Sequence, residues 1–299
     1  MLDKGTIEGP QMMGHPKGLF YLFFAELWER FSFYGMRALL TLYMVNEIFE
    51  ALVSRDLAAA AVYASYGSLV YASTVVGGRV SDTLLGFRRS IMLGGILMSL
   101  GHFVLAVENE YTFYLALALI VVGNGFFKPN ISTFVGSLYK DGDTRKDSGF
   151  TIFYMGINIG GFAAPLLCGW LGREYGWHYG FGLAGIGMLA GLIVFWRGIK
   201  EGVFLDKGMP PSIEKLETRV LGIKKKVFVP ILAFLAAPVI AMMLSSYGAI
   251  GGGDTFLGDQ NVVTLIFKLL GFAILIYMAV IMYQATASER KKLAVALMI

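Results

Sequence analysis

The feature that most constrains this chain is a succession of apolar runs, each long enough to cross a bilayer. They fall at about 18–45, 57–78, 90–107, 111–138, 149–171, 177–196, 227–248 and 262–284. A spanning helix needs roughly 17–25 largely apolar residues, and in hydrocarbon every backbone N–H and C=O must find its partner within the protein. The sequence therefore predicts an all-α, multi-pass membrane protein. Composition agrees, with 56% of the 299 residues hydrophobic and 15% charged, against about 25% charged in soluble domains. The first 16 residues carry charges, Gly and Pro without an apolar core, so no cleavable signal peptide is expected. One cysteine, Cys168, leaves no intrachain disulfide and no cysteine-built metal site. No paired His/Cys/Asp spacing suggests a metal ion, and no nucleophile elbow or phosphate loop suggests an enzyme. Neither a metal nor another cofactor is expected, and no nucleic-acid partner.

The basic residues set the expected orientation. With the N-terminus inside, the inner segments hold Lys4, Lys17, Arg79, Arg88, Arg89, Lys140, Arg145, Lys146, the basic residues from Arg197 to Lys226, and Arg290 to Lys292. Of the 25 Lys and Arg, only Arg55 and Arg173 fall outside, and Arg30, Arg37, Lys128 and Lys268 lie within helices. This is a strong positive-inside pattern, and it predicts a cytoplasmic N-terminus in a cell inner (cytoplasmic) membrane. The polar stretch 198–226 reads as a cytoplasmic linker. It contains Pro210-Pro211 and a charged segment, Ser212 to Arg219, suited to one short surface helix. The domains expected are an N-terminal arm (1–17), a six-helix bundle (18–197), the linker (198–226), a transmembrane hairpin (227–284) and, at 285–299, the start of a further helix. The hairpin carries one interior charge, Lys268, and reads as peripheral packing or a spacer.

Charges inside the first run point to function. Glu26, Glu29, Arg30, Phe33, Tyr34 and Arg37 share one helical face at 100° per residue. An ionisable residue near a bilayer centre costs about 2.5–3.5 kcal/mol on the lenient insertion scale, so this face should look into a bundle or wet cavity. Arg37 lies toward the outer end, where a long side chain can snorkel. Lys128 sits in G-N-G-F-F-K-P-N (Gly123 to Asn130), beside Pro129, which removes a backbone donor. The natural partner for that lysine is Glu26 or Glu29. In a fold of inverted three-plus-three repeats the first and fourth helices are equivalent and line one cavity. A carboxylate held by a cation stays ionised, and one that loses its cation in a buried site takes a proton. Such a pair couples proton movement to shape.

Other candidates carry one polar handle each. Gly78, Asp82, Gly86, Arg88 and Arg89 fit the G-x3-D-x3-G-x-R-R loop of major facilitator transporters, with Gly78, Asp82, Arg88 and Arg89 as a conformational latch. Tyr71 lies on the second run and Asn158 on the fifth. Gly156 and Gly160 have the small-x-x-x-small spacing of tight crossings. Asn158 can serve a substrate amide or a neighbouring helix. His102 and His178 read as isolated interface or packing residues, and His15 as part of an exposed arm.

Together these motifs resemble the proton-dependent oligopeptide transporter family (PTR2) of the major facilitator superfamily. Glu26 to Gly35 matches its E-x-x-E-R-F-x-Y-Y-G, Phe150 to Phe162 its aromatic run ending I-N-I-G-G, and the K-P-N and the loop motif agree. The resemblance implies a major facilitator N-terminal six-helix bundle followed by the linker hairpin of bacterial members, with a second bundle beyond residue 299. The chain is then an N-terminal portion that would not transport alone. The resemblance also implies symport of di- and tripeptides with protons. Glu26, Glu29, Arg30 and Lys128 would be proton-coupling residues, and Arg30, Tyr34, Tyr71, Lys128 and Asn158 would contact the peptide. Phe33 replaces the first tyrosine of the motif's pair, removing one hydroxyl contact. A relative carrying nitrate or another small solute is the alternative; oligomeric state, stoichiometry and side-chain preference stay open.

Overall fold

The structure is a computed structural model that describes residues 9–250 and Ile276. All of these but Ile276 belong to the first of two compact units, Met1–Gly251 and Gly252–Ile299. Seven long helices are described: α1 (Lys17–Tyr43), α2 (Arg55–Val80), α3 (Gly86–Leu105), α4 (Glu110–Ser137), α5 (Lys146–Tyr175), α6 (Trp177–Lys200) and, after the short α7 (Ile213–Glu217), α8 (Lys225–Ile250). The apolar runs set them. Among the described residues, five stretches are long and apolar enough to cross a membrane, among them Lys225–Ser246 with a mean hydropathy of 2.6. Helix α1 falls outside that set because of the same glutamates and arginines that make it interesting. Apart from Ile276, the second helix of the expected hairpin, with Lys268, and the segment from 285 on lie outside the described residues.

The helices pack in two groups. Helix α1 lies chiefly on α5 and α6, α4 lies chiefly on α2 and α3, and α3 meets α6. Exchanging α1 with α4, α2 with α5 and α3 with α6 leaves that pattern unchanged, which is the three-plus-three repeat expected. Small residues make the crossings possible, as close backbone approach requires. A methyl group on Gly160 of α5 would lie 3.1 Å from Arg30 Cβ of α1, and one on Gly94 of α3 would lie 2.7 Å from Phe127 N of α4. Ser73 Oγ of α2 donates across the α2–α4 crossing to the Val121 carbonyl, 2.9 Å away. Helix α4 is buried almost continuously from Ala116 to Phe127, as expected of a helix apolar all round.

Helix α8, the described half of the expected hairpin, packs on α4 and α2. Its Ala233 and Ala237 join a core cluster with Leu97, Leu119 and Phe126 of α3 and α4 and Leu216 of α7, while Leu232, Phe234, Leu235 and Val239 face outward. Helix α7 forms where the charged segment was expected, and Ser212 caps it by accepting from Lys215 N at 3.2 Å. Glu217 near its end is held at about 2 by Lys224 and Lys226, whose ammonium groups lie 2.7 and 2.6 Å away.

Two expectations are corrected. The loop between the second and third runs is helical throughout: α2 passes through a π turn (Ser81–Leu85) into α3, and Gly86 makes the change of direction at φ +73°. A side chain there would strike the Met209 carbonyl and Pro210 N as well as adopting a disfavoured backbone. The N-terminal arm, read as exposed, folds as a hairpin of β1 (Gln11–Met12) and β2 (His15–Pro16). His15 is buried, and its Nδ1 lies 2.8 Å from the Tyr139 hydroxyl. Arg145 donates to the Gly14 carbonyl at 3.3 Å and grips Asp143 through two bonds. A second small hairpin, β3 (Arg219–Val220) with β4 (Ile223–Lys224), leads into α8.

Candidate functional site

The site grows from α1, where three ionisable residues fall within five positions. Glu26 and Arg30 are one turn apart, so their side chains meet on one face. The Arg30 Nε–H donates to Glu26 Oε1 at 2.8 Å, and the same nitrogen lies 2.5 Å from Glu29 Oε2. The three are 3%, 0% and 5% exposed. Removing charges this completely from water is favourable only when they compensate one another. Gly160 of α5 presses on the turn that carries Arg30, so the cluster is walled by backbone on that side. Glu29 points the other way, toward α4, where Asn124 Nδ2 approaches Glu29 Oε1 at 3.5 Å.

Lys128 departs from its expected pairing. It makes no ion pair with Glu26 or Glu29; its ammonium sits 4.7 Å from the centre of the Tyr71 ring, a cation–π contact. Arg30 wins both carboxylates because it sits on their own helix, whereas Lys128 must reach from another. Lys128 still lies close enough for its charge to act on Glu29. Lys128 and Tyr71 line a cavity of about 90 Å³ together with Phe33, Arg37, Tyr63, Tyr66, Gly67 and Val70. Phe33, the departure from the tyrosine pair, lies between two guanidiniums, 5.8 Å from that of Arg30 and 5.4 Å from that of Arg37. Arg37 does not snorkel. Its Nε donates to the Tyr63 hydroxyl at 2.7 Å, and its Nη2 contacts the same oxygen.

The remaining candidates are dispersed. Tyr34 is half-buried against Gly161 of α5 and does not line the cavity. Asn158, one turn before Gly161, is exposed on α5. The structure thus brings Tyr71 and Lys128 together, buries Arg30 with its glutamates, and leaves Tyr34 and Asn158 on the neighbouring surface. In the expected latch, Gly78 packs beside Pro129, Asp82 and Arg89 are exposed, and Arg88 acts alone. Its Nε and Nη2 donate to the Lys207 and Leu205 carbonyls at 2.7 and 2.5 Å, closing the turn that follows α6. No ion pair joins Asp82 to Arg88 or Arg89 among the described residues.

Sequence reading missed Tyr63, Tyr66 and Asn124. The signal was present: positions 63, 66, 67, 70 and 71 recur on one helical face, and Asn124 lies one turn before Lys128.

Buried, mutually compensating charges between two interlocked three-helix groups define a multi-pass membrane protein built for more than anchorage. The PTR2 model of the POT family matches residues 88–285, and the chain belongs to that family. It is 52% identical over 201 residues to the uncharacterized transporter YclF of Bacillus subtilis, covering 67% of this chain and 41% of that protein. Identity to the peptide transporter YePEPT of Yersinia enterocolitica is 42% over 254 residues, or 82% of this chain and 48% of the relative. A crystal structure of a peptide transporter POT in complex with sulfate superposes with a TM-score of 0.70 at 40% identity, covering 96% of this chain and 57% of the other. The chain therefore spans about half the length of the relatives it matches.

Proposed function

We propose that the protein containing this chain is a proton-coupled symporter of di- and tripeptides, with its N-terminus on the cytoplasmic side of the inner membrane. The observation that carries the reading is Arg30 clamped between Glu26 and Glu29 in near-complete burial. In such a set the cation favours the ionised carboxylates against the burial that opposes them, and drawing the cation away favours proton uptake. A peptide carboxylate is the natural competitor for that cation, and the cavity at Lys128, Tyr71 and Arg37 offers cations and aromatic walls for it. Family membership and the di-/tripeptide transporter of Lactococcus lactis, 48% identical over 208 residues, support the substrate class. Alternating access would come from this bundle rocking against a second one about a midplane site.

The test is uptake by the complete protein in proteoliposomes. Labelled dipeptide should accumulate when the outside is more acid than the inside, be competed by di- and tripeptides, and stop when the gradient is collapsed. Accumulation of nitrate or another solute, with no competition by peptides, would replace the peptide assignment.

A further inference from the structure

The contact between Asn124 and Glu29 carries more than packing. Glu29 is fully buried, and its Oε1 has Asn124 Nδ2 as its partner across the α1–α4 boundary. Asn124 is 1% exposed and its Oδ1 has no hydrogen-bond partner. A buried amide that uses its donor and leaves its acceptor unpartnered is costly. It becomes economical if the neighbour changes state. An ionised carboxylate only accepts, so it needs the amide N–H; a protonated carboxyl also donates, so it needs the amide oxygen. A half-turn of the Asn124 amide presents one or the other to Glu29.

We propose that Asn124 is a positioning residue for proton coupling, holding Glu29 through its N–H when Glu29 is ionised and through Oδ1 when Glu29 carries the proton. The inference rests on the coupling role of the α1 glutamates proposed above. The charged groups facing Glu29 are Arg30 and Glu26 on its own helix and Lys128 on α4, with the Tyr66 hydroxyl from α2 nearby. Helices α3, α5 and α6 carry their charged side chains only near their ends, and His102, in the last turn of α3, is not among Glu29's charged neighbours. Asn124 is one turn from Lys128 on α4, so the amide stands where α1 and the lysine-bearing helix meet. A carboxylate whose proton turns over during transport is thereby matched in both states without a rearrangement of either backbone.

The test uses two variants of the complete protein in proteoliposomes. Asn124→Asp keeps the size and the acceptor but replaces the amide N–H by a group that donates only when protonated; Asn124→Ala removes both. Two transport modes are compared: gradient-driven uptake, which requires the proton to turn over, and peptide counterflow at equal pH on both sides, which does not. Both variants should lose gradient-driven uptake by about tenfold or more, the expected scale for a lost hydrogen bond to a charged group, while counterflow stays within about twofold. In Asn124→Asp two facing acids retain a proton longer, so the midpoint of the uptake pH profile should move to alkaline pH by about one unit. Profiles that superimpose on wild type, or a fall of both modes by the same factor, would overturn the positioning role. Absence of gradient-driven uptake in the wild-type protein would instead defeat the proton-symport reading, and this inference with it.

Discussion

Replacing Arg30 by Leu tests whether the glutamates are held ionised by this one cation. The variant removes the guanidinium from a site where Glu26 and Glu29 are 3% and 0% exposed. Lys128 is engaged with Tyr71 and forms no ion pair with either acid, so the carboxylates keep no cation in contact. Each must be neutralised or remain a buried anion, and neutralisation is cheaper. Protonating a carboxyl with a free value of about 4.3 costs roughly 3.7 kcal/mol at pH 7 and about 1 kcal/mol at pH 5, at 1.36 kcal/mol per unit. The defect should therefore grow by about 2.7 kcal/mol per neutralised carboxylate between those pH values. The sign follows from linkage: the folded variant binds a proton that the unfolded chain releases, so stability falls as pH rises. In a domain of this size that corresponds to roughly 5–11 °C of melting temperature. Thermal unfolding of the detergent-purified protein at pH 5 and pH 7 measures it, and adding Glu26→Gln and Glu29→Gln should abolish the pH dependence. An Arg30→Leu defect equal at both pH values, or untouched by the glutamines, would refute the clamp.

Three further outcomes are expected. Lys128→Ala should abolish gradient-driven uptake yet leave peptide counterflow measurable; uptake at the wild-type rate would contradict a coupling role for Lys128. Gly160→Leu should lower the melting temperature by an amount equivalent to about 1–3 kcal/mol, because even a methyl there meets Phe31 N at 3.0 Å; an unchanged melting temperature would show the α1–α5 crossing to be looser than described. Burial and the Arg145 charge lower the affinity of His15 for a proton, while burial pushes the Tyr139 hydroxyl up to about 12, so it stays protonated. With the folded His15 value below the free one, docking of the N-terminal hairpin should be complete above about pH 6.5 and weaken as pH falls below it, seen as faster proteolysis of residues 9–16 at pH 5.5 than at 7.5. His15→Gln should flatten that dependence.

The helices were legible because a bilayer leaves an apolar run few alternatives. The runs at 57–78 and 149–171 became α2 and α5, longer by several residues because a helix continues past the hydrocarbon until caps or turns stop it. What sequence could not show depended on distant partners. His15 sits in a polar segment, and only Tyr139, 124 positions away, makes its burial affordable. The π turn at Ser81–Leu85 looks like loop because the glycines and arginines that flank it, Gly78, Arg79, Gly86 and Arg88, suit either form, and the docking of Arg88 on the carbonyls after α6 decides. In the site, the E-x-x-E-R spacing already implied the Glu26–Arg30 contact. The choice between Arg30 and Lys128 as the clamp was a matter of reach across helices, which no spacing encodes.

That choice has a consequence for how the site works. With both glutamates ionised, two negative charges face two positive ones, Arg30 and Lys128, and the set is balanced. Arg30 is tied by two carboxylates at 2.8 and 2.5 Å, whereas Lys128 is tied by an aromatic face beside an open cavity. A cation–π contact at a half-exposed site is worth about 0.5–1 kcal/mol, so Lys128 is the cheaper cation to move. On the proposed function, an arriving peptide carboxylate should recruit Lys128 first and add one negative charge, and a proton on Glu26 or Glu29 then restores the balance. Substrate and proton would each favour binding of the other by the same factor, as linkage between two sites demands. Peptide affinity should therefore rise as pH falls in the wild-type protein and lose that dependence when both Glu26 and Glu29 are changed to Gln, an outcome equilibrium binding at pH 5.5 and 7.5 decides.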